Sequence, residues 1–177
     1  MKKFGAVVLM MSIAALFGCS KKETGPGKDW SGKPIKTVTQ QVHKVKFSID
    51  IPDGMKLKKK DSDVNIGWQA DMDDYFSEPH VDVSYAAIPA KSLADFKKYN
   101  FINEKHIIVK EETLKNPEGF FVVYHTKNKG LLWVISLIKK GDKALTCRAG
   151  QAKSGGVPNF KATQAWLEKI CRSIKFK

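Results

Sequence analysis

An acidic segment in the first half of the chain contains residue types that bind hard cations. It holds four carboxylates and an imidazole within ten residues: Asp71, Asp73, Asp74, Glu78 and His80. Calcium and similar divalent ions take several oxygen ligands, which this segment supplies at close spacing. It lacks the glycine and the twelve-residue register of an EF-hand loop. We therefore expect a solvated acidic loop between strands; a site for calcium or another divalent cation and a docking surface for a basic partner are the alternatives.

The amino-terminal segment is organised like a secretory signal. A start with two lysines is followed by the uncharged, mostly apolar run 4–18 and then by Cys19. This run is shorter than the roughly 20 apolar residues of a transmembrane helix. The sequence Leu16-Phe17-Gly18-Cys19 resembles the bacterial lipobox, although Phe17 is bulkier than the small residue usual there. The resemblance implies cleavage before Cys19 and a diacylglyceryl group on its thiol; a cleaved ordinary signal and an uncleaved anchor are the alternatives.

The lipobox resemblance predicts that the chain is divided into three parts and that the protein is located in the cell envelope. Residues 1–18 are expected to be the lipoprotein signal peptide, 19–36 the lipidated cysteine and a flexible tether rich in Gly, Pro, Ser and Lys, and 37–177 a single folded domain. Acyl chains would hold the protein on a membrane of the bacterial cell envelope. Ser20 stands where an aspartate would favour inner-membrane retention, so in a Gram-negative host we expect the periplasmic face of the outer membrane.

The other two cysteines lie on apolar faces of predicted elements. Cys147 shares one side of a predicted strand with Leu145 and Ala149, and Cys171 lies on the apolar stripe of the last predicted helix. Two inward-facing cysteines in an exported protein predict a disulfide; two reduced core thiols are the alternative. A catalytic thiol is not expected, because burial among apolar side chains raises the pKa of a cysteine and suppresses its nucleophilicity.

The charge is strongly basic but comes almost wholly from lysine. Lys+Arg 31 against Asp+Glu 18 gives a net charge of +13, and the only arginines are Arg148 and Arg172. Nucleic-acid recognition favours arginine forks and stacked aromatics, so no nucleic-acid partner is expected. Lysines suit a solvated face or attraction to anionic lipid headgroups. The chain contains no nucleophile elbow, phosphate loop or Cys-x-x-Cys motif, so neither catalysis nor a resident cofactor is predicted.

The periodicity of apolar residues predicts an α+β fold. Strand candidates are 42–51, 64–71, 81–88, 106–112, 120–126, 131–138 and 144–151. A short helix begins at Ser92 with a Ser-x-x-Asp cap. The last helix carries an apolar stripe at helical spacing, namely Thr163, Trp166, Leu167, Ile170, Cys171 and Ile174. Consecutive strands with short separators predict an antiparallel sheet of about six or seven strands packed by two helices.

Two short motifs and the order of elements carry a family resemblance. An opening strand reads Phe47-Ser48-Ile49-Asp50-Ile51-Pro52, and the closing helix contains Trp166-Leu167, Ile170-Cys171 and Ser173-Ile174. Over residues 40–176 this order resembles the PsbP-like fold, which includes the photosystem extrinsic protein PsbP and bacterial lipoproteins of the DcrB type. The resemblance implies a non-enzymatic accessory or assembly protein. It supplies no site residues, because no diagnostic site motif is present.

The sequence therefore predicts a membrane-anchored envelope lipoprotein with a non-catalytic domain that binds a protein partner or assists an assembly. The alternative is a lipoprotein that binds or senses a small ligand or metal ion through the acidic segment 71–80. A cleft lined by aromatic and polar groups would favour ligand binding, and a flat patch beside the acidic segment would favour protein docking.

Overall fold

The computed structural model describes residues 32–58, 62–70, 79–128, 130–152 and 160–177. The strands in these residues are β1 Ile35–Val42, β2 Val45–Pro52, β3 Met55–Leu57, β4 Asn65–Ala70, β5 His80–Tyr85, β6 His106–Lys115, β7 Glu118–Thr126, β8 Leu131–Lys140, β9 Lys143–Ala152 and β10 Lys175–Phe176. The helices are α1 Leu93–Tyr99 and α2 Phe160–Arg172. The predicted α+β class with two helices is confirmed.

The strands form two antiparallel sheets. The larger has seven strands in the order β3-β4-β5-β9-β8-β7-β6, and the smaller has three in the order β1-β2-β10. The apolar run predicted for 131–138 is strand β8, which lies inside the larger sheet between β9 and β7. Residues 134–138 of this strand are buried on both faces because each face of the sheet at this point is covered by a helix.

Helix α2 and the smaller sheet cover one face of the larger sheet. All six residues of the predicted apolar stripe are at most 5% exposed: Thr163, Trp166, Leu167, Ile170, Cys171 and Ile174. The five apolar members of the stripe, all except Thr163, pack with the inner residues of β2, β4, β5, β8 and β9 in one cluster. The stripe is buried because residues at helical spacing share the face that meets the sheet.

The predicted disulfide is present and lies in this core. Cys147 on the central strand β9 is bonded to Cys171 on α2, and both residues are at most 1% exposed. The bond therefore fixes the last helix to the middle of the larger sheet.

A charged network fastens the end of α2 to the edge strand β6. Glu112 accepts a hydrogen bond from Arg172 at 2.7 Å, and Lys110 lies 3.2 Å from both Glu112 and Glu168. The Arg172 hydrogen bond holds the pKa of Glu112 below its ordinary value, and the hydrogen bonds to Glu112 and Glu168 raise the pKa of Lys110. The guanidinium of Arg172 also lies 3.8 Å from the centroid of the Phe121 ring.

The short helix α1 covers only part of the opposite face. Ser92 accepts a hydrogen bond from the backbone N–H of Asp95, which confirms the predicted cap. The buried Phe96 packs with residues of β7, β8 and β9. Seven residues span about 10 Å at 1.5 Å per residue, which is too short to cross all seven strands. The β4, β5 and β9 part of this face therefore extends beyond the helix.

The smaller sheet was not predicted. The segment 42–51, predicted to be one strand, is divided by a two-residue turn at His43 and Lys44, where His43 has a φ of 51°. Strand β1 begins at Ile35, two residues before the start expected for the domain. The His43 ring stacks on Tyr85 of β5 with a centroid distance of 4.8 Å, so this turn joins the two sheets.

Candidate functional site

A pocket of about 270 Å³ opens on the part of the larger sheet that extends beyond α1. Its lining residues come from four strands and the residue after β3; they are Lys58, Gln69, His80, Asp82, Leu131, Trp133 and Ala152. We call this site the sheet pocket. It lies on the face that carries α1, since Trp133 packs against the same cluster as Phe96.

The strand register brings these side chains together. Gln69, His80, Gly150 and Trp133 are successive partners across β4, β5, β9 and β8. Side chains at directly opposed positions point to the same face of a sheet. Asp82 follows His80 by two residues on β5, so it lies on this face as well.

Trp133 forms one wall of the sheet pocket, and a glycine makes room for it. The indole lies against the backbone of Gly150, where an added Cβ would be 2.5 Å from Cε3 of Trp133. His80 meets the Trp133 ring edge-on with a centroid distance of 4.9 Å. The guanidinium carbon of Arg148 lies 5.7 Å from the ring centroid. These three neighbours fix the plane of the indole.

Arg148 connects the Trp133 wall to the end of α1. Its Nη2 donates a hydrogen bond of 3.1 Å to Oδ1 of Asn100, whose Nδ2 in turn donates to the carbonyl oxygen of Phe96 at 2.8 Å. On the far side of Trp133, the neighbouring strand contributes Tyr124, its partner in the register. Burial raises the pKa of Tyr124, and the charge of Arg148 partly offsets that rise. The phenol of Tyr124 is therefore neutral at physiological pH.

A second glycine positions the carboxylate of the sheet pocket. The side chain of Asp82 reaches over Gly67 on β4, and a Cβ at that position would overlap with its Oδ1. Within the described ranges, no hydrogen bond or ion pair of the Asp82 carboxylate is found. This carboxylate is thus an available acceptor beside an aromatic wall.

The sheet pocket is divided into an apolar and a polar side. Leu131, Trp133 and Ala152 from β8 and β9 form the apolar side. The polar side, from β4, β5 and the end of β3, consists of Lys58, Gln69, His80 and Asp82. It contains one ammonium, on Lys58, and one carboxylate, on Asp82. Such a lining can bind and orient a ligand that has both apolar and hydrogen-bonding parts.

Four of the five predicted cation ligands belong to the part of the chain outside the described ranges. Asp71, Asp73, Asp74 and Glu78 lie outside the described residues, as does Cys19. His80 is described, and it lines the sheet pocket. In the part of the chain that the structure describes, no three His, Cys, Asp or Glu side chains are grouped so that they could hold a metal ion. Neither described helix has the length and apolar character needed to cross a membrane.

The aromatic wall was not predicted from the sequence. Trp133 belongs to an apolar run, where it is indistinguishable from a core residue. The available signal was Gly150 in the middle of a strand, because an interior strand glycine often marks a close approach of another group. Gly67 gives the same signal beside Asp82.

Comparison with known proteins supports the fold. No family model matches this chain, and no curated protein matches it. The solution structure of cyanobacterial PsbP (CyanoP) from Synechocystis sp. PCC 6803 is similar, with a TM-score of 0.52 and 12% identity over 74% of this chain and 86% of that chain. A crystal structure of a Pseudomonas aeruginosa protein of unknown function, a putative regulator, gives a TM-score of 0.40 and 13% identity over 75% of this chain and 92% of that chain.

The likeness to cyanobacterial PsbP shows the fold alone. The chain is an α+β protein with a PsbP-like arrangement of strands and helices, as its sequence motifs indicated.

Proposed function

We propose that this protein is an envelope lipoprotein whose single α+β domain binds a small ligand in the sheet pocket without acting on it chemically. The observation that carries the proposal is the cleft itself: an aromatic wall, an opposed polar side and an available carboxylate in one cavity of about 270 Å³. A cleft of this kind favours ligand binding over docking on a flat surface.

The lipid anchor is proposed from the lipobox resemblance. Residues 20–34 lie between the lipobox cysteine and the first strand, which begins at Ile35. At no more than about 3.5 Å per residue, this segment could reach some 50 Å from a bilayer. The domain would therefore have room to present its pocket to the surrounding compartment while staying attached to the membrane.

Substitution Cys19→Ser tests the anchor. We expect the wild-type protein to sediment with membranes from its host, and the variant to lose both this association and the mass of the diacylglyceryl group. Fractionation and intact-mass analysis measure the two effects. Ser20→Ala, next in the sequence, is the matched control and should keep both. A wild-type chain with an unmodified Cys19 thiol would contradict the anchor.

Substitution Gly150→Ala tests the pocket. The added methyl group would push the Trp133 indole out of its place, so the variant should lose the ligand response. The ligand is supplied as the low-molecular-weight fraction of a host envelope extract. At a ligand concentration of about 100 times the Kd, binding should stabilise the wild type by ~2.7 kcal/mol. This raises Tm by about 5–10 °C. Thermal unfolding of the mature chain in detergent measures the shift.

Gly32→Ala is the control for the pocket variant, because an added Cβ at Gly32 meets no atom within 4 Å. It should respond to the extract like the wild type. An equal response of Gly150→Ala, or no response of the wild type, would contradict ligand binding in the sheet pocket.

Docking of a protein partner is a second candidate function, favoured by apolar residues exposed at the two ends of α1. Ile88 precedes the helix and Phe101 follows it, and each is 81% exposed. Tyr99 in the last turn is 57% exposed. Exposed apolar residues of this size mark interaction surfaces when they are contiguous.

A further inference from the structure

Strand β6 leaves one edge of the larger sheet open. It has ten residues, His106–Lys115, and it pairs with β7; no other strand of the described ranges pairs with it. The opposite edge of the sheet is β3, which has only three residues. A long edge strand presents a row of backbone N–H and C=O groups that can pair with a further strand. The edge at β6 is therefore the place where this sheet can be extended.

The first half of this edge is apolar and partly exposed. Ile107, Ile108 and Val109 are consecutive β-branched residues that are 43%, 39% and 46% exposed. Ile107 is paired with His125 and Ile108 with Tyr124, so the two isoleucines lie on opposite faces of the sheet. Their exposure shows that neither helix fully covers the sheet at this point. We call residues 107–109 the apolar edge.

The connection from α1 to β6 adds a further apolar side chain. Phe101 is 81% exposed and has a φ of 55°, which lies in the left-handed region where glycine is the usual residue after a helix. Lys97 of α1 is ion-paired with Glu111 of β6 at 2.8 Å, which holds the end of α1 beside this strand. An exposed phenylalanine in this backbone conformation destabilises the isolated domain. Contact with another protein surface would offset that cost.

The charges on either side of the apolar edge select its partner. Lys105 directly precedes β6, and Glu111 and Glu112 follow the apolar edge along the strand. When two copies of β6 run antiparallel with their apolar edges opposed, Lys105 of each copy lies close to the two carboxylates of the other. Parallel pairing would instead place carboxylates beside carboxylates, which is unfavourable. The strand is thus complementary to itself in the two-fold symmetric arrangement.

We propose that two copies of this protein associate through β6 and form one continuous antiparallel sheet with a two-fold axis at Ile108. Backbone hydrogen bonds and the contact between the apolar edges supply the affinity. Glu111 and Glu112 already have partners within their own chain. Lys105 of the second copy therefore sets the direction and register of pairing more than its strength. This inference goes beyond the proposed function and requires neither the sheet pocket nor a lipid anchor.

Other occupants are less suited to this edge. In the hydrocarbon of a bilayer, the free N–H and C=O groups of an edge strand would have no hydrogen-bond partners. The bulge between Ile108 and Lys110 increases the local twist of β6, which disfavours pairing with a flat, unrelated strand. A second copy has the same bulge in the same place, so the two paired strands have the same twist.

Sedimentation equilibrium of the mature chain in density-matched detergent tests the inference. We expect the protein mass to approach that of two chains as the concentration rises. Ile108→Lys brings two ammonium groups together at the axis and should weaken association at least about tenfold. Ile88→Lys is the matched control, because Ile88 is 81% exposed and lies between β5 and α1. This control should associate like the wild type.

Cross-linking in the host envelope checks the place of contact. Ile108→Cys would put one thiol of each copy at the axis, where directly opposed residues of paired strands have their Cβ atoms about 5 Å apart. A short bifunctional thiol reagent should therefore join two copies of this variant. Ile88→Cys, which carries an even more exposed thiol, should give no such product.

Four results would overturn the inference. The first is a single-chain mass at every concentration, and the second is an Ile108→Lys variant that associates as tightly as the wild type. The third is equal cross-linking of the Ile108→Cys and Ile88→Cys variants, since the contact would then not involve β6. The fourth is a cross-link from the Ile108→Cys variant to a different protein alone, because the edge would then have another partner.

Discussion

Replacing both Cys147 and Cys171 with alanine is expected to lower the free energy of unfolding by about 3.5 kcal/mol. The disulfide closes a loop with a sequence separation of 24 residues, and in the chain-entropy model a loop of this length restricts the unfolded chain by ~3.5 kcal/mol. For a domain of this size, the loss corresponds to a fall in Tm of about 7–14 °C. Urea unfolding of the double variant and the wild type measures the difference.

Reduction of the wild type provides an independent check of the disulfide. Complete reduction of the disulfide should lower the free energy of unfolding of the wild type by about the same amount. The free energy of unfolding of the double variant should not change, because the variant has no disulfide to reduce. A difference below about 1 kcal/mol between oxidised wild type and double variant would show that the bond does not stabilise the fold.

The elements that could be predicted are those with a local pattern. Helix α2 was predicted because its apolar residues recur at helical spacing, and α1 because Ser92 and Asp95 form a recognisable cap. The disulfide followed from two such patterns, since Cys147 lies on the apolar side of a strand and Cys171 on the apolar stripe of a helix. In each case the evidence lies within about a dozen consecutive residues.

The smaller sheet has no comparable pattern. Strand β10 is the pair Lys175–Phe176, and it is a strand only because β2, far earlier in the chain, provides its partner. The apolar and polar alternation within 42–51 begins only at Val45, and the two consecutive polar residues before it, His43 and Lys44, form the turn. Pairing with a distant partner determines β10, whereas the turn at His43 and Lys44 joins the consecutive strands β1 and β2.

The sheet pocket depends on distant pairing in the same way. Strand β5 pairs with β9, and this brings His80 beside Gly150 and Asp82 beside Arg148. No stretch of sequence contains both the aromatic and the polar side of the cavity. The acidic segment therefore indicated one residue of the sheet pocket, His80. Trp133 can be recognised as a pocket residue only from the register of β8 with β9.

Substitution Gly119→Ala is expected to destabilise the protein by about 3 kcal/mol or more. Gly119 is paired with Ile138 of β8, and an added Cβ would overlap with the backbone carbonyl oxygen of Leu137. A backbone carbonyl cannot rotate away as a flexible side chain can. Relief would require β7 to separate from β8 at this pair. Overpacking a well-packed site costs about 1–3 kcal/mol, and the contact here is with rigid backbone, so the upper end applies.

Gly141→Ala is the matched control, and its comparison with Gly119→Ala isolates the steric cause. Gly141 has a φ of +61°, and a Cβ added there meets no atom within 4 Å. The control should therefore cost only the penalty of about 1–2 kcal/mol for a side chain in the left-handed region. Urea unfolding should give Gly119→Ala the lower midpoint of the two. Equal midpoints would mean that β7 and β8 separate at little cost, and that the close approach at Gly119 does not determine their pairing.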